Sequence, residues 1–260
     1  MNLLNFIKEK TTYETRLKIR YKLRSYKAIF YRSNLDKLAT IHKTDKNRYH
    51  FYTKHYQNHF NPYRYKKINL LEIGVGGYEN PLSGGQSLRM WKSYFPFAKI
   101  FSLDIYDKSF LQEKRIKIYK GSQVDVEFLQ MICNEAGLFD LIIDDGSHIN
   151  DHVIKSFEFL FPKVKTGGIY VIEDTQTSYW ENYGGSSNDF NKEGTIYHYF
   201  KSLIDSLNNE EFVLDNYEKS YFDKHIISMH FYHNMIFIYK GHNNEPSNYL
   251  KNNKRSNGQS

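Results

Sequence analysis

Thiols are almost absent from this chain: Cys133 is the only cysteine in 260 residues. A single thiol excludes an intrachain disulfide and a cysteine-rich zinc site. Long apolar runs are missing too, and none approaches the roughly 18 residues of a membrane-spanning helix. The opening MNLLNFIKEK has no apolar stretch of the kind a secretory signal carries, so a cytoplasmic location is expected. Excess charge is concentrated in one segment. Residues 1–32 hold nine basic and two acidic residues, which matches the whole formal net charge of +7, while residues 33–239 net −3 and residues 240–260 net +3. A basic total spread over the surface would point to nucleic acid; confined to an arm it does not, and no nucleic-acid partner is expected.

What is present fits a folded domain. Aromatics make up 17% of the residues, which argues against disorder, and the 40% hydrophobic share is ordinary for a globular protein. We expect three segments: a basic arm over 1–33, a catalytic domain over 34–240 and a flexible polar tail over 241–260. In the arm, Leu17, Ile19, Tyr21 and Leu23 alternate with Lys18, Arg20, Lys22 and Arg24, as in a strand. Arg16, Arg20 and Arg24 also follow helical spacing, and no turn signal interrupts residues 14–32, so a helix is expected there. The arm either packs an apolar side on the domain or docks on an anionic partner or membrane headgroups.

From residue 68 onward, apolar runs alternate with helical stretches. INLLEIG (68–74), KIFSLDI (99–105), RIKIYKG (115–121), FDLIIDDG (139–146) and GGIYVIEDT (167–175) are separated by helices near 85–94, 124–136 and 151–163. Unalternated apolar strands between helices predict a parallel sheet covered on both faces. HIISMHFYH (225–233) runs almost directly into NMIFIYK (234–240), which predicts an antiparallel hairpin closing the sheet edge. Residues 175–194 form a long irregular segment with Tyr179, Trp180, Tyr183 and Phe190, read as a functional lid.

Ligands of an open parallel sheet bind beyond the carboxyl ends of its strands. LEIGVGGY ends the first strand with Glu72, Gly74, Gly76 and Gly77, and the second ends at Asp104, where a carboxylate can accept from both hydroxyls of a ribose. A dinucleotide fingerprint requires glycine at the sixth position counted from Gly74, where Glu79 stands. The pattern suits a nucleoside without a pyrophosphate. The fourth strand runs into Asp144-Asp145-Gly146-Ser147-His148 and the fifth into Glu173-Asp174. Asp145, Glu173 and Asp174 brought together would repel one another unless a cation sat among them, and an all-oxygen set suits Mg²⁺, Ca²⁺ or Mn²⁺. His148 is then placed to take a proton from a substrate hydroxyl. Asp144 as a helix cap and His148 as an ordinary loop residue are the plainer readings of the same residues.

LLEIGVGGY, SLD, GSQVD, DDGSH and IEDT, in this order and spacing, resemble the metal-dependent sugar O-methyltransferases of macrolide pathways, the tylosin and mycinamicin type, over roughly residues 36–180. The resemblance implies a Rossmann-like α/β fold, a mostly parallel seven-stranded sheet with helices on both faces and an antiparallel C-terminal hairpin strand. It also implies S-adenosyl-L-methionine (AdoMet) and Mg²⁺, or another oxygen-preferring divalent cation. It places metal ligands at Asp145, Glu173 and Asp174 and the base at His148. Cofactor contacts fall on Thr44, on Glu72, Ile73, Gly74, Val75, Gly76, Gly77 and Tyr78, and on Ser87, Asp104, Ser122, Gln123 and Asp145. Macrolide enzymes of this type carry a large N-terminal domain, whereas here a short basic arm precedes the match. The function expected is methyl transfer to the hydroxyl of a small-molecule sugar or sugar nucleotide in a natural product, capsule or polysaccharide. Alternatives are a phosphate or phosphoramidate oxygen of a nucleotide-activated precursor and, less in keeping with the residues, a nucleic-acid methyltransferase. The latter usually has an Asn/Asp-Pro-Pro-aromatic segment where Asp-Asp-Gly-Ser-His stands. The sequence leaves a homo-oligomer open.

Overall fold

The computed structural model describes residues 11–251 and 253–255. The chain divides into two compact units, Met1–Gly121 and Ser122–Ser260. Its seven main strands form a mixed, mostly parallel sheet in the order β3-β2-β1-β4-β5-β7-β6, with helices on both faces. This is the doubly wound arrangement that the alternation of apolar runs and helical stretches predicts.

In the first unit, helices α1 (Tyr13–Ala28), α2 (Leu35–His42) and α3 (Thr53–Phe60) precede β1 (Asn69–Ile73), α4 (Gln86–Tyr94), β2 (Lys99–Asp104) and β3 (Ile116–Lys120). The helical spacing of the basic arm prevails over its period-two alternation. Thr12 caps α1 through Thr15 N–H, and a 3₁₀ turn over Ile29–Tyr31 follows. Asn34 caps α2, which stops at Lys43 in the left-handed conformation. β1 pairs in parallel with β2, and β2 with β3. Leu70, Leu71 and Ile73 are sealed from solvent, as expected of a strand covered on both faces. Tyr56, Phe60, Trp91 and Phe95 pack edge to face and tilted at 4.8–6.3 Å between centroids, so part of the high aromatic content fills this core.

The second unit holds α5 (Val126–Ala136), β4 (Phe139–Asp144), α6 (Asn150–Leu160), β5 (Val164–Glu173), α7 (Ile196–Leu207), α8 (Tyr221–His225), β6 (Ile226–Tyr232) and β7 (Met235–Lys240). Asp125 caps α5 and Thr195 caps α7. β4 and β5 are parallel, whereas β7 lies antiparallel between β5 and β6. The predicted hairpin is therefore present, and its turn uses Asn234 at φ +59°. Lys240 ends β7 with its ammonium bonded to the carbonyls of Phe161, Pro162 and Val164, and burial lowers its pKa to about 8.

In the segment beyond 240, expected to be flexible from its polar composition, residues 241–251 and 253–255 make defined bonds; residues 252 and 256–260 of the expected tail lie outside the described residues. The Asn243 amide donates to the carbonyls of Ser206 and Asp223, and the buried Asn253 amide donates to those of Asn209 and Phe212. A short hairpin, β8 (Leu250–Lys251) with β9 (Lys254–Arg255), carries Asn253 at its turn. Side-chain amides here do what apolar side chains do elsewhere: they fasten the segment by satisfying main-chain carbonyls. Among the described residues, no helix is long and apolar enough to cross a membrane.

Candidate active site

In the first unit, the carboxyl ends of β1 and β2 carry the glycine-rich turn and Asp104. Val75 N–H donates to Asp104 Oδ2 at 3.0 Å and Tyr106 N–H to Oδ1 at 2.9 Å, which fixes the carboxylate's plane. The turn closes on itself, with Gly85 N–H donating to Val75 O at 2.7 Å. A Cβ on Gly84 would strike the carbonyl oxygens of Gly76 and Val75, and one on Gly77 would strike the backbone of Ser83; both residues also have positive φ. Only glycine permits this fold of the loop. Lys108, which sequence reasoning missed, holds the far side. Its buried ammonium donates to the carbonyls of Tyr78, Asn80 (2.8 Å) and Ser83 (3.2 Å), and burial lowers its pKa while Asp104 works in the opposite direction.

Glu72 and Thr44, distant in sequence, belong to one neighbourhood. Lys46 Nζ lies 3.4 Å from Glu72 Oε1, both side chains are inaccessible, and Thr44 Oγ1 donates to Asp45 Oδ1 beside it. A buried pair of this kind holds a segment in register, because separating it would leave two charges without solvent. Arg89 on α4 donates to the carbonyls of Gly84 and Gly85, and its guanidinium stacks on Tyr21 of α1 at 3.7 Å. Ser87 lies half-buried in the first turn of the same helix.

In the second unit, the carboxyl ends of β4 and β5 carry the acidic cluster. Asp145, His148 and Asp174 each offer a ligand atom, and these atoms lie within 4.8 Å of one another. His148 Nε2 is 3.7 Å from Asp174 Oδ2 and 4.0 Å from Asp145 Oδ1. Both His148 (φ +56°) and Asp174 (φ +54°) sit in the left-handed region, which turns their side chains inward at the strand ends. Two carboxylate oxygens and an imidazole nitrogen this close make a donor set suited to a divalent cation. The third expected carboxylate, Glu173, is buried at the last position of β5, opposite Met235, and does not belong to this group; the imidazole stands in it instead.

Asp144 does not cap α6. It is fully buried, accepts from Gly146 N–H and from the Gln123 amide, and is pushed up to about 7, first by burial. Gln123 has its whole side chain committed inside the fold: Nε2 donates to Ser156 Oγ (2.9 Å) and toward Asp144, and Oε1 accepts from Ser147 N–H (2.8 Å). Its role is to hold the turn that presents Asp145 and His148. Ser122 Oγ accepts from Val124 N–H at 3.3 Å.

Residues 175–194 are more ordered than a lid. Thr175–Tyr179 and Glu181–Tyr183 are 3₁₀ turns built around Asn150, at the start of α6. Asn150 Nδ2 donates to the carbonyls of Thr177 (3.0 Å) and Tyr183 (2.8 Å), and Oδ1 accepts from Ile196 N–H (2.7 Å) and Ser178 Oγ (3.4 Å). Sequence reasoning passed over Asn150, which carries no motif. The rings remain on show: Trp180 is 48% exposed beside Tyr183 at 5.8 Å, and Tyr179 packs between Phe190 and Tyr197.

Known proteins share this framework. The chain is 48% identical over 214 residues to mycinamicin VI 2''-O-methyltransferase of Micromonospora griseorubida, a match covering 82% of this chain and 54% of that protein. Demethylmacrocin O-methyltransferase of Streptomyces fradiae is 45% identical over 214 residues, with the same two coverages. Among solved structures, the MycE methyltransferase from the mycinamycin biosynthetic pathway, in complex with Mg and SAH, superposes with a TM-score of 0.80 at 47% identity. That match covers 82% of this chain and 56% of that one. The same enzyme with Mg, SAH and mycinamycin VI gives a TM-score of 0.78. No protein-family model matches the chain. The chain spans about half the length of the curated relatives it matches. Over the matched 214 residues, the chain is a homologue of the macrolide sugar O-methyltransferases and has the Rossmann-like methyltransferase fold.

Proposed function

We propose that the chain is an AdoMet- and divalent-metal-dependent O-methyltransferase acting on a sugar hydroxyl. The observation that carries this reading is the Asp145, His148 and Asp174 donor cluster, in a chain 47% identical to a methyltransferase whose structure holds Mg and SAH. When bound, AdoMet supplies an electrophilic methyl group, and the cation supplies Lewis acidity toward the acceptor hydroxyl.

The chain's own residues do the rest. The loop from Glu72 to Tyr78 gives a close backbone approach to the cofactor, Thr44 and Ser87 of the same unit and Ser122 of the second unit are further contacts, and the Asp104 carboxylate keeps lone pairs for ribose hydroxyls. Gln123 acts by holding the Asp144–His148 turn, and the fit of AdoMet to this set rests on the glycines that leave the loop without side chains. Asp145 and Asp174 would hold the cation, and Glu173, buried at the end of β5, lies outside the donor group they form with His148. His148 takes the acceptor's proton on Nε2, the nitrogen directed at the carboxylates, and they stabilise the imidazolium that forms. Tyr179, Trp180 and Tyr183 offer ring faces to the CH-rich side of a sugar. Relatives named for rhamnosyl- and olivosyl-bearing acceptors favour a sugar hydroxyl over a phosphorus oxygen or nucleic acid.

The test is methyl transfer to a panel of glycosides and sugar nucleotides with and without chelator, alongside calorimetric titration of SAH and Mg²⁺. His148→Ala is expected to bind both ligands and lose turnover by about 10²–10⁴-fold, the usual size of general-base catalysis. Full activity in excess EDTA would remove the cation from the reaction. Loss of Mg²⁺ affinity in His148→Ala, equal to that in Asp145→Ala, would make the imidazole a ligand instead of the base.

A further inference from the structure

Helix α1 is apolar on two opposite faces. One face packs on the first unit: Leu17 and Ala28 are buried, Tyr21 lies under the Arg89 guanidinium, and Arg24 donates to the His42 carbonyl. On the opposite face, Ile19, Leu23 and Tyr26 are 43%, 63% and 66% exposed, and Phe30, in the 3₁₀ turn that continues the helix, is 84% exposed. Their spacing of four, three and four residues sets them in a single outward stripe. Exposed cations border it on both sides, Lys22 along one edge, where the Lys18 ammonium turns over the Phe110 ring at 4.8 Å, and Arg20 and Lys27 along the other. The only acid of the helix is Glu14, in its first turn.

We propose that this stripe docks α1 flat on an anionic lipid surface, with the four apolar side chains entering the headgroup boundary and the cations meeting lipid phosphates. The argument is charge complementarity around an apolar centre. A folded surface that exposes Leu23 and Phe30 suits a cover, and a cover facing Arg20, Lys22 and Lys27 with no acid among them must be negative. A second copy of the chain packed symmetrically on the stripe would set like-charged rims against each other. Lys and Arg stems can lie along the bilayer while their charged ends reach the headgroups. Because the inner face is anchored through Tyr21 and Leu17, the helix is formed before it docks and loses little order on binding. This inference is independent of the methyl-transfer reading.

The experiment is flotation of the full chain with phosphatidylcholine vesicles and with vesicles that also contain phosphatidylglycerol, at low and high salt. Binding is expected on the anionic vesicles alone and is expected to fall with salt. Lys22→Glu/Lys27→Glu should weaken it at least about 25-fold, from roughly fivefold per cation near the surface. Leu23→Ser/Phe30→Ser should weaken it about tenfold or more, with the melting temperature and SAH affinity unchanged. Equal binding to neutral vesicles, or none to either, overturns the proposal. So does a fall in solution mass of the serine variant by light scattering, which would assign the stripe to a second copy.

Discussion

Replacing Lys108 with Met tests how the glycine-rich loop is held. The side chain is buried, and its ammonium is bonded to three carbonyls, those of Tyr78, Asn80 and Ser83. Methionine keeps the stem and removes the donors. Three bonds at about 1 kcal/mol net each, less about 1 kcal/mol recovered by no longer burying a cation, leave a loss of about 2 kcal/mol. Most of that loss should not appear as global instability. Tyr78 and Asn80 are exposed, so their carbonyls rehydrate when the loop opens. The opened loop then lowers the fraction of molecules competent to bind, and about 2 kcal/mol corresponds to about a 30-fold rise in Kd. The assay is calorimetric titration of SAH into wild type and Lys108→Met, with thermal unfolding of the ligand-free proteins in parallel. A large fall in affinity with a fall of only a few degrees in melting temperature is expected. An unchanged Kd in a folded variant refutes the reasoning, and equal losses in both measurements would make Lys108 a core residue with no particular hold on the loop.

Two further outcomes can be checked directly. Asn150→Ala removes four hydrogen bonds to residues 177–196, and should cost about 2–4 kcal/mol in urea unfolding and expose the 184–194 stretch to protease. His42 lies buried with its pKa lowered to about 4, by burial first and then by Arg89, Arg24 and Lys92. The unfolded chain takes up a proton near pH 6.5 that the native state refuses. Stability should therefore fall by about 3 kcal/mol as pH drops from about 6.5 to about 4 and level off below, a slope that His42→Gln removes in urea titrations across that range.

The sheet was legible because β1, β2, β4 and β5 are apolar runs set among helical stretches and β6 runs almost directly into β7, patterns that survive without knowing any contact. The two acidic strand ends were legible for the same reason: Asp145 and Asp174 must emerge where β4 and β5 stop. Backbone conformation decided what sequence could not show. His148 adopts a left-handed φ, and that places its imidazole among the carboxylates while Glu173 stays in the strand. Polar residues that serve other residues were equally silent. Lys46, Lys108 and Asn150 find their partners across 25 to 46 positions of chain, and Gln123 braces Asp144 and Ser147. The Asn-rich end looked uncommitted because its bonds go to main-chain carbonyls, which leave no trace in the composition.

Asn150 gives the ring-bearing segment a particular kind of evolvability. Three of its four bonds reach main-chain atoms, those of Thr177, Tyr183 and Ile196, and such atoms are the same whatever side chains the segment carries. Tyr179 also packs on Phe190 and Tyr197, but Asn150's hold on the segment is indifferent to which rings stand at 179, 180 and 183. Acceptor preference can drift through them, one substitution at a time, on a scaffold whose hold never has to be rebuilt.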